Sequence, residues 1–140
     1  MKRRKIILDS GPPVALLNKR DSYHEWAVAQ FAQISPPLLT CEAVLSEACF
    51  LLRHLERGPD SVLQLVERGA VAIAFEAAPE VRSIRALLLQ YRNIPMSFAD
   101  ACLVRMAEKL GDSAIHTLDR DFRIYRKHRR KTIATVMPGP

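Results

Sequence analysis

The order of elements in this 140-residue sequence predicts an α/β fold, with a central, mainly parallel sheet of about five short strands flanked by helices. Two observations carry that expectation. Short apolar runs alternate with longer segments of helical spacing, and a helical crossover returns the chain in the same direction each time. Turn chemistry separates the runs, as in Asp9-Ser10-Gly11-Pro12, Pro36-Pro37 and Gly58-Pro59, and no linker is long enough to divide the chain. Residues 1–140 are therefore expected to be a single domain.

Lys5 to Leu8 reads as a buried strand that ends in the Asp9 turn. Val14 to Leu17 forms a short turn of helix, and Asp21-Ser22 caps a longer helix through Trp26 to Ile34, stopped by Pro36-Pro37. Leu38 to Thr40 is the second strand. A helix follows from about Cys41 to Leu55, with Ala43, Val44, Leu51 and Leu52 on its apolar side. Gly58-Pro59 opens a helix to Arg68, and Val71 to Phe75 is the third strand. Ala78-Pro79 opens an amphipathic helix carrying Val81, Ile84, Leu88 and Leu89. Ser97 then fits the N-cap of a helix with Asp100 at its third position, ahead of Leu103, Met106, Ala107 and Leu110. Ala114 to Leu118 is the fourth strand, Arg123 to Lys131 a basic segment, and Thr132 to Val136 the last strand.

Hydrophobic residues make up 49% and charged residues 26%, which is globular composition and excludes disorder. A net charge of +6 favours a polyanionic partner, nucleic acid rather than a membrane. Cys41, Cys49 and Cys102 show no CxxC spacing, so neither a disulfide framework nor a zinc site is indicated and a reducing cytoplasm fits best. The basic start Lys2 to Lys5 precedes an apolar run that Asp9 and Pro12-Pro13 cut too short for a signal peptide, and no stretch is long enough to span a membrane. The four histidines have no ligand spacing, and His116 is a strand position pointing away from Thr117.

Four acids occupy element ends. Asp9 and Asp119 end strands, while Asp100 and Glu47 lie near the starts of helices, so a parallel sheet brings all four towards the edge where open α/β folds place their sites. Each also has an ordinary explanation. Asp100 completes a capping box, Asp119 could cap a helix through Phe122 and Tyr125, and Glu47 could be a flank residue whose stem snorkels to water. Glu42 competes with Glu47, but the dipole of the first helical turn already explains Glu42, whereas Glu47 falls among apolar neighbours. Together the acids repel one another unless a cation receives them. Oxygen-only ligands select Mg²⁺ or Mn²⁺, and such an ion can activate water for displacement at phosphorus.

ILDSGPPVALLN, the Glu47 helix, PMSFADACLVRMAEKLG and TLDRDF together resemble a PIN domain, and more narrowly the VapC-type toxins. The resemblance implies a three-layer PIN-like fold and a metal-dependent endoribonuclease using Mg²⁺ or Mn²⁺. It further implies the toxin of a type II toxin–antitoxin pair, usually a homodimer, cutting RNA and inhibited by a protein antitoxin. It carries over Asp9, Glu47, Asp100 and Asp119 as catalytic metal ligands, with Asp121 as an extra acid and Ser10 and Thr117 as supporting hydroxyls. The second proline of Gly11-Pro12-Pro13 departs from the pattern by removing a backbone donor. Arg120 and Arg123 begin near the acidic edge and are the expected RNA contacts, whereas Lys2 to Lys5 lie at the opposite edge and Arg126 to Lys131 run away from it. Two alternatives keep the fold: a catalytically silent module that binds RNA or protein, and a PIN nuclease acting on RNA without an antitoxin. A phosphotransfer receiver or haloacid-type phosphatase needs other acids around its first strand than Asp9-Ser10-Gly11.

Overall fold

In the computed structural model, which describes residues 4–139, the expected strand and helix alternation is present. The strands of the main sheet are β1 (Lys5–Leu8), β2 (Leu38–Thr40), β3 (Val71–Ile73), β4 (Ser113–His116) and, last in the chain, β7 (Thr135–Val136). They lie in the order β3-β2-β1-β4-β7, and every pairing is parallel. The helices are α1 (Gly11–Leu17), α2 (His24–Gln33), α3 (Glu42–Leu51), α4 (Gly58–Glu67), α5 (Val81–Gln90) and α6 (Phe98–Leu110).

Strand alternation divides the core in two. Ile7 and Ile115 face a cluster with Cys102, Leu103 and Met106 of α6 and Ile84 and Leu87 of α5. Leu8 faces the other side, with Leu38, Val71 and Leu65 of α4. Helices thus cover both sheet faces, as a buried parallel sheet requires. A third cluster, around Leu45, Ala48, Leu52 and Val62, joins α3 to α4 and takes in Val14 and Leu17 of α1.

Several boundaries differ from the sequence reading for identifiable reasons. α1 starts three residues earlier than expected, because Pro12 and Pro13 stand in its first turn, where backbone N–H groups lack helical partners anyway. The second proline therefore costs no hydrogen bond. Asp21 does not cap α2; its carboxylate accepts the Tyr23 N–H in a turn, and the helix begins at His24. α3 ends at Leu51 rather than Leu55, and α5 is preceded by a 3₁₀ turn, Ala78–Glu80. In α5 Ile84 and Leu87 are buried, while Val81 and Leu89 are exposed. The expected last strand is split. Lys131–Thr132 (β6) pairs antiparallel with Arg126–Lys127 (β5) in a small hairpin turned by His128 and Arg129, both at positive φ, and only Thr135–Val136 reaches the main sheet. Of the basic start, Lys2 and Arg3 lie outside the described residues, and Arg4 sits 3.7 Å from Asp112.

β4 carries one polar group at a price. His116 is fully buried, its ring 5.1 Å from that of Trp26 and 5.5 Å from that of Phe31, and neither ring nitrogen has a hydrogen-bond partner. Burial lowers its pKa to about 4 from an ordinary 6.5. Between those values the unfolded chain holds a proton that the folded protein refuses, so this residue's share of stability is complete above pH 6.5 and lost as pH falls towards 4. Replacing His116 with Phe keeps the ring and removes the liability. The His116→Phe protein should gain stability over wild type as the solution is acidified, by up to about 2 kcal/mol near about pH 5. Urea melts at neutral and acid pH test this, and a difference independent of pH would contradict it.

Candidate active site

Asp9 follows β1 and its N–H donates to the His116 carbonyl at 3.0 Å, which continues the parallel ladder by one step. The residue is 4% exposed, and its carboxylate accepts the Ser10 N–H at 2.7 Å on one oxygen and the Thr117 hydroxyl at 2.6 Å on the other. Because the Thr117 hydroxyl donates there, its oxygen is left to accept the Asp119 N–H, at 2.9 Å. Asp119 in turn accepts the Asp121 N–H at 2.9 Å and caps a 3₁₀ turn, Arg120–Arg123. The Ser10 hydroxyl donates to Glu47 of α3, a short contact that ties this helix to the Asp9 turn.

Asp100 enters from α6. Ser97 is the N-cap and its hydroxyl accepts the Asp100 N–H at 3.0 Å. The capping geometry expected from sequence is therefore made, yet the carboxylate has a second partner, because the Tyr125 hydroxyl donates to it at 3.0 Å. A capping residue and a site residue are here the same group.

Burial pushes the Asp9 carboxyl up to about 7, and the charges of Asp100 and Glu47 push the same way against the bonds from Thr117 and Ser10. Burial also raises the Asp100 carboxyl; the Tyr125 and Ser97 bonds oppose this, and the Asp119 charge adds to it. The Tyr125 phenol is raised well above its ordinary value, first by burial and then by the Asp100 charge, so it stays a proton donor. Asp9 thus feels Asp100 and Glu47, Asp100 feels Asp119, and Tyr125 feels Asp100, Asp121 and Asp119.

Buried and mutually close carboxylates, with Asp9 and Asp100 both pushed upward by burial and by neighbouring negative charge, fit a divalent cation, and their all-oxygen donors fit a hard one. Among the described residues no three His, Cys, Asp or Glu side chains converge as a ready-made cage. That is compatible with Mg²⁺, which keeps several waters and takes a few carboxylates together with substrate phosphate.

The matches with known proteins follow the same lines. A family model described as "PIN domain" matches residues 6–128. The chain belongs to the PIN domain family. Among solved structures, Mycobacterium tuberculosis VapC20, described as a sarcin-ricin loop cleaving toxin, superposes with a TM-score of 0.79 at 23% identity, covering 91% of this chain and 99% of that one. Comparison with curated protein sequences returns no match.

In this PIN domain Asp9, Ser10, Thr117 and Glu47 form one bonded group, and Asp119 joins it through Thr117. Asp100 is linked to them by charge, and Asp121 through Asp119. Glu42 stays exposed in the first turn of α3, so only Glu47 reaches the group. Arg120 and Arg123 are exposed on the 3₁₀ turn beside Asp119. Sequence reasoning passed over Tyr125 as a site residue; its only signal was its spacing from Phe122, which marks burial rather than a hydroxyl contact.

The raised Asp9 pKa gives a test of sign. A carboxyl whose folded pKa exceeds its unfolded one favours folding at low pH, and that contribution is lost as pH rises from about 3.8 through about 7. In EDTA, Asp9→Asn should therefore be more stable than wild type at about pH 8, by about 1–2 kcal/mol after the Thr117 hydroxyl has turned. The gain should shrink towards about pH 4, and Mn²⁺ should narrow it at pH 8 by binding folded wild type. An Asp9→Asn protein less stable at both pH values in thermal melts would contradict a carboxylate destabilised by burial and by its acidic neighbours.

Proposed function

We propose that this PIN domain is a metal-dependent endoribonuclease, the toxin of a type II toxin–antitoxin pair, with residues 1–140 acting as one domain in the cytoplasm and as a homodimer. The observation that carries the reading is the placement of four acids at the C-terminal edge of a parallel sheet: Asp9 and Glu47 are joined through Ser10, the Asp119 backbone is tied to Asp9 through Thr117, and Asp100 acts on Asp9 by charge. RNA as the substrate is supported by the family match, the likeness to a toxin described as sarcin-ricin loop cleaving, and the net charge of +6. Among the described residues no helix is long and apolar enough to cross a membrane.

Asp9, Asp100, Asp119 and Glu47 are the groups that would hold Mg²⁺ or Mn²⁺, which when bound supplies positive charge at the phosphate and lowers the pKa of a water. The protein's own contribution is orientation. Thr117 fixes the rotamer of Asp9 and, through the Asp119 N–H, the start of the following turn. Ser10 bonds Glu47, and the Tyr125 hydroxyl holds the Asp100 carboxylate. Arg120 and Arg123 lie where they can meet RNA phosphates beside Asp119.

Purified protein should cut single-stranded or looped RNA with Mg²⁺ or Mn²⁺ and stop on addition of EDTA; cleavage undiminished by the chelator would refute metal dependence. Asp9→Asn, Asp100→Asn and Asp119→Asn should each lower the rate by orders of magnitude. Thr117→Val, which keeps the shape and loses the hydroxyl, should cost about 10–100-fold. Glu47→Gln should cost more than Glu42→Gln, and the reverse order would show that the second acid has been misassigned.

A further inference from the structure

α1 and α3 run side by side away from the acids. At the acid end Ser10 meets Glu47, and at the far end Leu17, Asn18, Lys19 and Arg20 meet His54 and Leu55 around an open cleft of about 550 Å³. The seven residues of α1 separate the two ends by about 10 Å. Lys19 and Arg20 are exposed, no carboxylate lines the cleft, and among the described residues neither side chain has an ion-pair partner. The nearby Asp21 carboxylate already accepts the Tyr23 N–H.

A second feature stands on the same helix, three residues past Glu47. Phe50 is 60% exposed and belongs to none of the core clusters. The Arg53 guanidinium lies 3.8 Å from its ring centroid, pinned there by a 2.7 Å hydrogen bond to the Phe50 carbonyl. One face of the ring is thus covered by a cation, and the rest is open to solvent. The contact leaves much of the phenyl ring accessible beside a fixed positive charge. An unpaired base can use both, since it stacks on an aromatic ring while its phosphates meet the basic groups alongside.

We propose that the α1–α3 flank is a binding track for single-stranded RNA outside the cleavage site, with Phe50 and Arg53 stacking one base and Lys19 and Arg20 holding phosphate in the cleft. The proposal rests on the nuclease reading of the acids and adds the side on which the strand continues. His54 completes the cleft wall.

The test measures binding without cleavage, by fluorescence anisotropy of a labelled single-stranded RNA oligonucleotide in EDTA across a salt series. Lys19→Gln/Arg20→Gln should weaken binding and reduce the slope of log affinity against log salt by about 1.4, as expected for two phosphate contacts on a single strand. Arg82→Gln/Arg85→Gln makes the same charge change at exposed positions of α5, outside the cleft, and should leave both quantities nearly unchanged. Equal losses from the two pairs would mean a general charge effect and overturn the track. Phe50→Leu should lower affinity about fivefold or more, and should lose nothing with an oligonucleotide whose bases are replaced by abasic sites. A Phe50→Leu change in sedimentation with RNA affinity intact would overturn the proposal in favour of a contact between copies. Pocket-dependent binding without cleavage in Mn²⁺ would refute the nuclease and keep the track, whereas cleavage and binding indifferent to all three residues would do the reverse.

Discussion

The parallel pairing of β1 with β4 is the interaction on which the site depends. Its register runs from Lys5 opposite Ser113 to Leu8 opposite His116, and the next step brings Asp9 against Thr117 across 108 residues of sequence. Slipping this register by one residue would turn every side chain of β1 to the other face. Asp9 would lose its hydroxyl partner at the same time as Ile7 and Leu8 exchanged cores. Packing therefore specifies the site geometry: the alternation that divides Ile7 from Leu8 between two apolar clusters also aims the following carboxylate.

Beyond β4 the chain needs a different device, because Asp119 to Tyr125 is not held by the sheet. Phe122 and Tyr125 are fully buried and meet edge to face, with ring centroids 5.3 Å apart, and Tyr91 of the α5 end lies 5.0 Å from Tyr125 on another side. The Tyr91 hydroxyl accepts the Arg126 N–H at 2.8 Å, closing the segment. An aromatic anchor thus fixes a loop, and one member of the anchor, Tyr125, presents its hydroxyl to Asp100. The rigidity a site needs comes here from apolar contact with a single polar end.

Much of this was legible in the sequence because the signals were strong and local. Strand-end turns announced Asp9 and Asp119, and Ser97-x-x-Asp100 announced the start of α6. The choice of Glu47 over Glu42 followed from its apolar neighbours. The β5–β6 hairpin was hidden because its strands, Arg126–Lys127 and Lys131–Thr132, are two residues each and carry no hydrophobic alternation. Phe50 and Arg53 gave no signal, since an exposed ring in an apolar-rich helix looks like core until its surroundings are known. His116 was correctly placed facing away from Thr117, but nothing local indicated that both of its nitrogens would be left without partners.

The long separation between Asp9 and its partners also bears on the order in which a ribosome delivers them. Synthesis is vectorial, and β1 emerges long before the strand that must lie beside it. Until β4 has left the tunnel, Asp9 has neither the Thr117 hydroxyl nor the Asp119 turn, and β1 has a neighbour on only one side. Closing so large a loop is entropically costly and slow, so the acid cluster is among the last parts of the molecule to form. A nascent or prematurely released chain that stops before Ser113 carries three of the four acids but not the strand that aligns them. Such a chain lacks both Thr117, whose hydroxyl orients Asp9, and Tyr125, whose hydroxyl orients Asp100.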